Sequence, residues 1–273
     1  ENVREIRQED PRIGCYKLWL MLCNIYGRDR MMGRDSFFTL LRRNGLMLPP
    51  PKPRHTTNSN HRYHKWKNLI HGFEPMAANQ LWAADITYIM LNNGDVCYLH
   101  LITDAYSRMI VGWELADTLR ASITIKALEQ AISQTGGVSL EGLIHHSDRG
   151  VQYCCDDYVR TLQTHKIKIS MTEDYNPTDN AIAERANGVI KTETVYSRKT
   201  FNSLEHARNV IGRFIHFYNY RRPHMSIGYK IPAVVHTETG AQKKMWKKKN
   251  YTKKMYNNEN NGISLPCRTT GGG

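Results

Sequence analysis

The chain has 273 residues, enough for one large domain or two, and 40% of them are hydrophobic, enough for a sizeable core. Its 38 Lys and Arg residues outweigh 25 Asp and Glu, and the net charge of +13 favours a polyanion such as nucleic acid over an acidic protein partner. The longest apolar run, Leu18 to Cys23, is far too short to span a bilayer, so no membrane partner is expected.

Residues 1–46 read as three short helices. Tyr16, Leu18, Trp19, Leu22 and Cys23 recur at helical spacing and stop at Gly27. A further helix opens near Asp35, taken as its N-cap, and carries Arg42 and Arg43 in its last turn before Gly45. Such a small all-α segment suits a helix-turn-helix module; a helical cap packed on a larger domain suits the pattern equally. Residues 47–76 form a basic, Pro-rich linker, with Tyr63 and Trp66 among Lys and Arg that would also suit contact with a DNA backbone.

Residues 77–236 read as one α/β core. Trp82–Leu91, Val96–Thr103 and Met109–Leu115 are strand-like and joined by short turns, Asn93-Gly94 marking a hairpin, so they are antiparallel neighbours. Helix is expected over Ala121–Gln134, Gln152–His165, Thr178–Tyr196 and 203–222, with Ser203 capping the last. Strands at Gly142–His146 and Lys166–Met171 complete a mixed five-stranded sheet with flanking helices. Residues 237–273 form a basic tail whose run KKMWKKKNYTKKM includes Lys247 and Lys248; it reads as solvated chain that could also grip phosphates. The six cysteines form no C-x-x-C pair and read as reduced thiols of a cytoplasmic protein.

Three acids carry the chemistry. Asp85 interrupts the first strand, Asp148 follows the fourth, and Glu184 lies in the helix after the fifth. If the first and fourth strands are parallel neighbours, the two aspartates meet at the sheet centre and Glu184 approaches them from above. Carboxylates this close repel unless cations neutralise them, and hard oxygen ligands select Mg²⁺ or Mn²⁺. Two such ions make a phosphodiester attackable. Lys191, seven positions after Glu184, shares its helix face and could hold DNA near the cut. Asp104 ends a strand but reads as a turn residue, His145 and His146 as packed histidines, and Asn180 as the cap of the Glu184 helix.

The segments WAADITYI, HHSDRGVQY, TDNAIAERANGVIKTE and FYNYRRPHMSIGYKIP resemble the OrfB-type transposases of the third insertion-sequence family, which share a catalytic core with retroviral integrases. GCYKLWLMLCNIYGRDRMMGRDSFFTLLRRNGL is similar to that family's helix-turn-helix segment. The resemblance implies a ribonuclease H-like fold, with Asp85, Asp148 and Glu184 binding two Mg²⁺ or Mn²⁺ ions. It implies DNA cleavage at element ends, then strand transfer by the freed 3′-hydroxyl. Expected DNA contacts are Lys191, Arg42, Arg43, Arg221, Arg222, Lys247 and Lys248. Expected partners are double-stranded DNA (terminal repeats and target), further copies of the chain, and an upstream helix-turn-helix and coiled-coil protein or fusion half, at the bacterial nucleoid. The alternatives are an inactive end-binding protein and a structure-specific nuclease of the same fold.

Overall fold

A computed structural model describes residues 2–48, 62–173, 180–195 and 201–242. Its centre is a five-stranded sheet of β1 (Leu81–Met90), β2 (Val96–Asp104), β3 (Ile110–Ala116), β4 (Ile144–Ser147) and β5 (Lys168–Met171). The spatial order is β3-β2-β1-β4-β5. β1, β2 and β3 are antiparallel, as short turns require, whereas β1–β4 and β4–β5 are parallel. Helices α4 (Ala121–Gln134) and α6 (Asp156–Thr164) lie in the crossovers that parallel pairing demands.

Alternate residues along the strands feed two cores. Trp82, Ala84, Ile102 and Val111 face α4 and α6 through Ala127, Leu128, Ala131, Tyr158 and Leu162. Ile89, Leu99, Leu101, Ile110 and Leu115 face the other way, onto Val189 and Ile190 of α7 (Ala181–Ile190) and Val210, Ile211 and Phe214 of α8 (Leu204–Tyr220). α4 lies so close to β3 that a Cβ on Gly112 would stand 2.1 Å from the Ala127 carbonyl oxygen, so the contact admits only glycine.

Ahead of the sheet, α1 (Asn2–Glu9), α2 (Cys15–Tyr26) and α3 (Arg34–Arg43) share a core of Ile6, Ile13, Leu18, Trp19, Leu22, Phe37 and Leu41. Phe217 of α8 is a member of the same cluster, and Tyr16 meets Tyr229 edge-on at 4.8 Å. The helical segment therefore packs on the α/β core as a cap, one of the two arrangements its pattern allowed. Among the described residues no helix is long and apolar enough to cross a membrane.

Local details differ from the sequence expectation. α3 starts at Arg34 with Gly33 as N-cap, so Asp35 lies inside the first turn, where its carboxylate accepts from Arg34 Nε at 2.8 Å. The helix expected at Gln152–His165 is broken by extended Cys155 into α5 (Val151–Cys154) and α6. The Glu184 helix is regular only from Ala181, and continues as a π-helical turn over Lys191–Val195. Ser203 caps α8 as expected, accepting from the His206 amide at 3.1 Å. Residues 49–61, 174–179, 196–200 and 243–273 lie outside the described residues, as does much of the linker and nearly all of the tail.

Candidate functional site

The parallel β1–β4 register pairs Leu81 with Ile144, Trp82 with His145 and Ala83 with His146. Carried two residues further, it sets Asp85 opposite Asp148, although the sequence separates them widely. Asp85 Oδ1 accepts from the Ile86 amide at 2.9 Å, and Oδ2 accepts from Asn187 Nδ2 at 2.7 Å. Asp148 turns the chain out of β4: its Oδ1 accepts from the Gly150 amide at 2.9 Å, and a Cβ on Gly150 would crowd that oxygen.

Electrostatics records how near the acids are. Burial, then the charge of Asp148, pushes the Asp85 carboxyl up to about 7; the hydrogen bonds from Asn187 and Ile86 oppose this, and Glu184 adds to it. Tyr153 beneath them is raised well above its ordinary value by burial, then by Asp148 and Asp85. Glu184 lies in the first turn of α7 with an exposed side chain, and burial of part of its surroundings raises its pKa.

α7 is fixed to the sheet on the face that bears Glu184. Asn180 Nδ2 donates to the Ala84 carbonyl at 3.0 Å, one residue before Asp85. Asn180 holds the N-cap position as expected, but its side chain bonds the strand rather than the helix end. Asn187 does the same on Asp85 itself. Asn180, Glu184, Asn187 and Lys191 recur at i, i+4, i+7 and i+11, one stripe of the helix. Asn187, 5% exposed, is the residue that sequence reasoning missed. The signal was a polar residue at heptad spacing from Asn180 in an otherwise apolar turn.

The donor set is oxygen only, as Mg²⁺ and Mn²⁺ prefer. A carboxyl pushed up to about 7, first by burial and then by the charge of Asp148, suits a cation that would restore both carboxylates. Asn187 Oδ1, buried beside them, has no protein partner among the described residues. The convergence is of two acids, not three: among the described residues no group of three His, Cys, Asp or Glu side chains closes on one metal position. Glu184 is exposed, and its charge is felt at Asp85.

Lys191 starts the π turn with Nζ 4.8 Å above the Tyr88 ring. Burial lowers its pKa, against the pull of Asp85. Arg42 and Arg43 are exposed at the end of α3, free of the core. Arg221 pairs with Glu9 and lies over Phe217. Arg222 does not fit the DNA contact expected of it: it is 1% exposed and forks onto Glu193, with Nε donating to Oε2 at 2.7 Å and Nη2 to Oε1 at 2.6 Å. A guanidinium buried in such a pair is not available to a phosphate. His145 and His146 are packed, bonded to Tyr158 and Ser170, and Asp104 is a buried turn residue accepting from Asn79, Tyr106 and Ser107. Lys247 and Lys248 lie outside the described residues.

Two family models, both described as "Integrase core domain", match residues 75–177 and 165–232. Over 235 residues the chain is 34% identical to the "Putative transposase for insertion sequence element IS986/IS6110" of Mycobacterium tuberculosis, covering 84% of this chain and 83% of that protein. The chain belongs to the insertion-sequence transposases with an integrase core. A 37% identical stretch of 206 residues, 74% of each chain, links this transposase to the "Insertion element IS600 uncharacterized 31 kDa protein" of Shigella sonnei. Its fold is shared with a chain of the simian T-cell lymphotropic virus intasome in complex with PP2A regulatory subunit B56 gamma. That match has 18% identity and a TM-score of 0.52 over 80% of the transposase and 72% of the viral chain. The sheet order and flanking helices are those of the ribonuclease H-like class.

Proposed function

We propose that this transposase cuts double-stranded DNA at the ends of its insertion sequence and joins the freed 3′-hydroxyl to target DNA, with Asp85, Asp148 and Glu184 as the ligands of two Mg²⁺ or Mn²⁺ ions. The observation that carries the reading is the parallel β1–β4 register, which continued past β4 brings Asp148 level with Asp85, with Glu184 on a helix hydrogen-bonded to Asp85 itself. When bound, the ions would activate the attacking oxygen and neutralise charge on the leaving 3′-oxygen. The protein's share is positioning. Asn187 and the Ile86 amide orient the Asp85 carboxylate, the Asp148–Gly150 turn aims Asp148, and rotation of the exposed Glu184 side chain toward Asp85 completes the set. Lys191 holds a DNA phosphate beside Glu184.

The domain plan supports this role. Residues 1–46 present Arg42 and Arg43 to DNA, 47–76 and 237–273 are basic connecting and terminal segments, and 77–236 holds the reaction centre. Further copies of the chain assemble on the two element ends, with an upstream helix-turn-helix and coiled-coil partner supplying end recognition, at the bacterial nucleoid.

A labelled terminal-repeat duplex incubated with target DNA and Mg²⁺ tests the proposal. Wild type is expected to nick the end and join it, and Asp148→Asn to lose both by at least about 10³-fold. Equal behaviour of the two proteins would refute the catalytic role. Nicking without joining would instead identify a nuclease, and binding without nicking an inactive end-binding protein.

A further inference from the structure

Arg222 belongs to a buried charge cluster that joins three separate parts of the chain. Its fork grips Glu193, the third residue of the π turn that prolongs α7. Arg222 Nε also lies 3.4 Å from Asp10 Oδ2, and Lys17 Nζ lies 3.5 Å from Glu193 Oε1. Asp10 follows α1 and Lys17 is in α2; Arg222 ends the α8 connection, with its guanidinium 5.3 Å from the Tyr218 ring centroid. Asp10, Glu193 and Arg222 are all buried.

The charges act unequally on one another. Burial works against Glu193, but Arg222 prevails and holds it near 2. Burial and the adjoining Glu193 drive Asp10 the other way, well above the usual carboxylate range, and burial followed by Arg222 lowers Lys17 to about 8. A two-bond fork has one geometry, so it fixes the backbone that carries Glu193. That backbone is a π turn, a form concentrated at functional sites, and it begins at Lys191. The stripe that carries Glu184 and Asn187 runs directly into it.

We propose that Arg222 and Glu193 are positioning residues for the Glu184–Lys191 helix, and that Asp10 and Lys17 extend this clamp to the amino-terminal cap. Seating of the cap on the core then sets the geometry of the reaction centre from the carboxy-terminal end of the helix that Asn180 and Asn187 anchor. The inference rests on the reading of Glu184 and Lys191 given above, and it assigns Arg222 an internal role in place of a DNA contact.

Amide hydrogen exchange of the full chain, free of DNA and metal, tests the clamp without relying on activity. Arg222→Lys keeps the charge and loses the fork; Lys17→Met, at the rim of the cluster, removes one charge and keeps the length. Both are expected to speed exchange across 181–195 by about tenfold or more while leaving β2 unchanged. On terminal-repeat DNA, single-turnover nicking should fall about tenfold with duplex affinity within about twofold of wild type, the pattern of a positioning defect. Exchange in 181–195 that stays at the wild-type level, or rises equally throughout the molecule, would overturn the clamp. Unchanged nicking despite a loosened helix would overturn its link to the reaction. A wild type that never nicks would instead count against the proposed function, and the exchange result would still decide the clamp.

Discussion

The Asp85 carboxyl, pushed to about 7 with Asp148 opposite, is held in a state that costs folding free energy in the metal-free protein. Between pH 4 and 7 the folded chain binds a proton there that the unfolded chain has released, so stability falls as pH rises through this window. Asp85→Asn removes the strain and keeps a hydrogen-bonding partner. In chelator at pH 8 the variant should be more stable than wild type by roughly 2–4 kcal/mol, read from urea midpoints, while nicking is lost. Equal or lower stability would show that burial and Asp148 do not burden the Asp85 charge. The acids themselves were legible in the sequence because they interrupt apolar runs. Asn187 was not, since an Asn in a helix declares its partner only when the strand opposite is known. Arg222 was expected at a DNA phosphate, and its inward turn was not legible because it depends on the tertiary position of Glu193.

At the scale of elements, the order and pairing of the strands followed from turn lengths and apolar runs. The parallel β1–β4 contact was the inference on which the site depended. What the sequence concealed were interruptions: the break at Cys155 and the π turn after Ile190 arise where packing against neighbours overrides local helix preference. The close seat of α4 on β3 is equally invisible in the sequence. Gly112→Ala forces a methyl group toward the Ala127 carbonyl and the Ala131 side chain. It is expected to lower stability by about 1–3 kcal/mol in urea unfolding, the cost of overpacking a filled core. A midpoint matching wild type would mean that the helix shifts freely and that the contact is not tight.

For the whole molecule, three of the four buried histidines among the described residues set the acid limit. Burial lowers His100 to about 4 and His145 to about 3, and burial with Arg222 nearby lowers His224 to about 2. Each stays neutral when folded and takes a proton when unfolded, so its contribution is present above pH 6.5 and lost as pH falls below it. At pH 5 this amounts to roughly 2 kcal/mol for each histidine. Thermal melts of the Asp85→Asn variant, in which the raised carboxyls of Asp10 and Glu184 still oppose but three rings outweigh them, should therefore fall monotonically from pH 7 to 5; a flat profile would contradict neutral burial of these rings. The cap and the α/β core share one apolar cluster and one charge cluster, so they are expected to unfold together at this limit.

The most direct measurement is anomalous X-ray diffraction from crystals soaked in Mn²⁺. A manganese peak between the Asp85 and Asp148 carboxylates, with Glu184 turned in to share an ion, is the predicted result. Manganese bound only elsewhere, or no peak at that pair under saturating ion, would contradict a metal-dependent reaction centre at these acids.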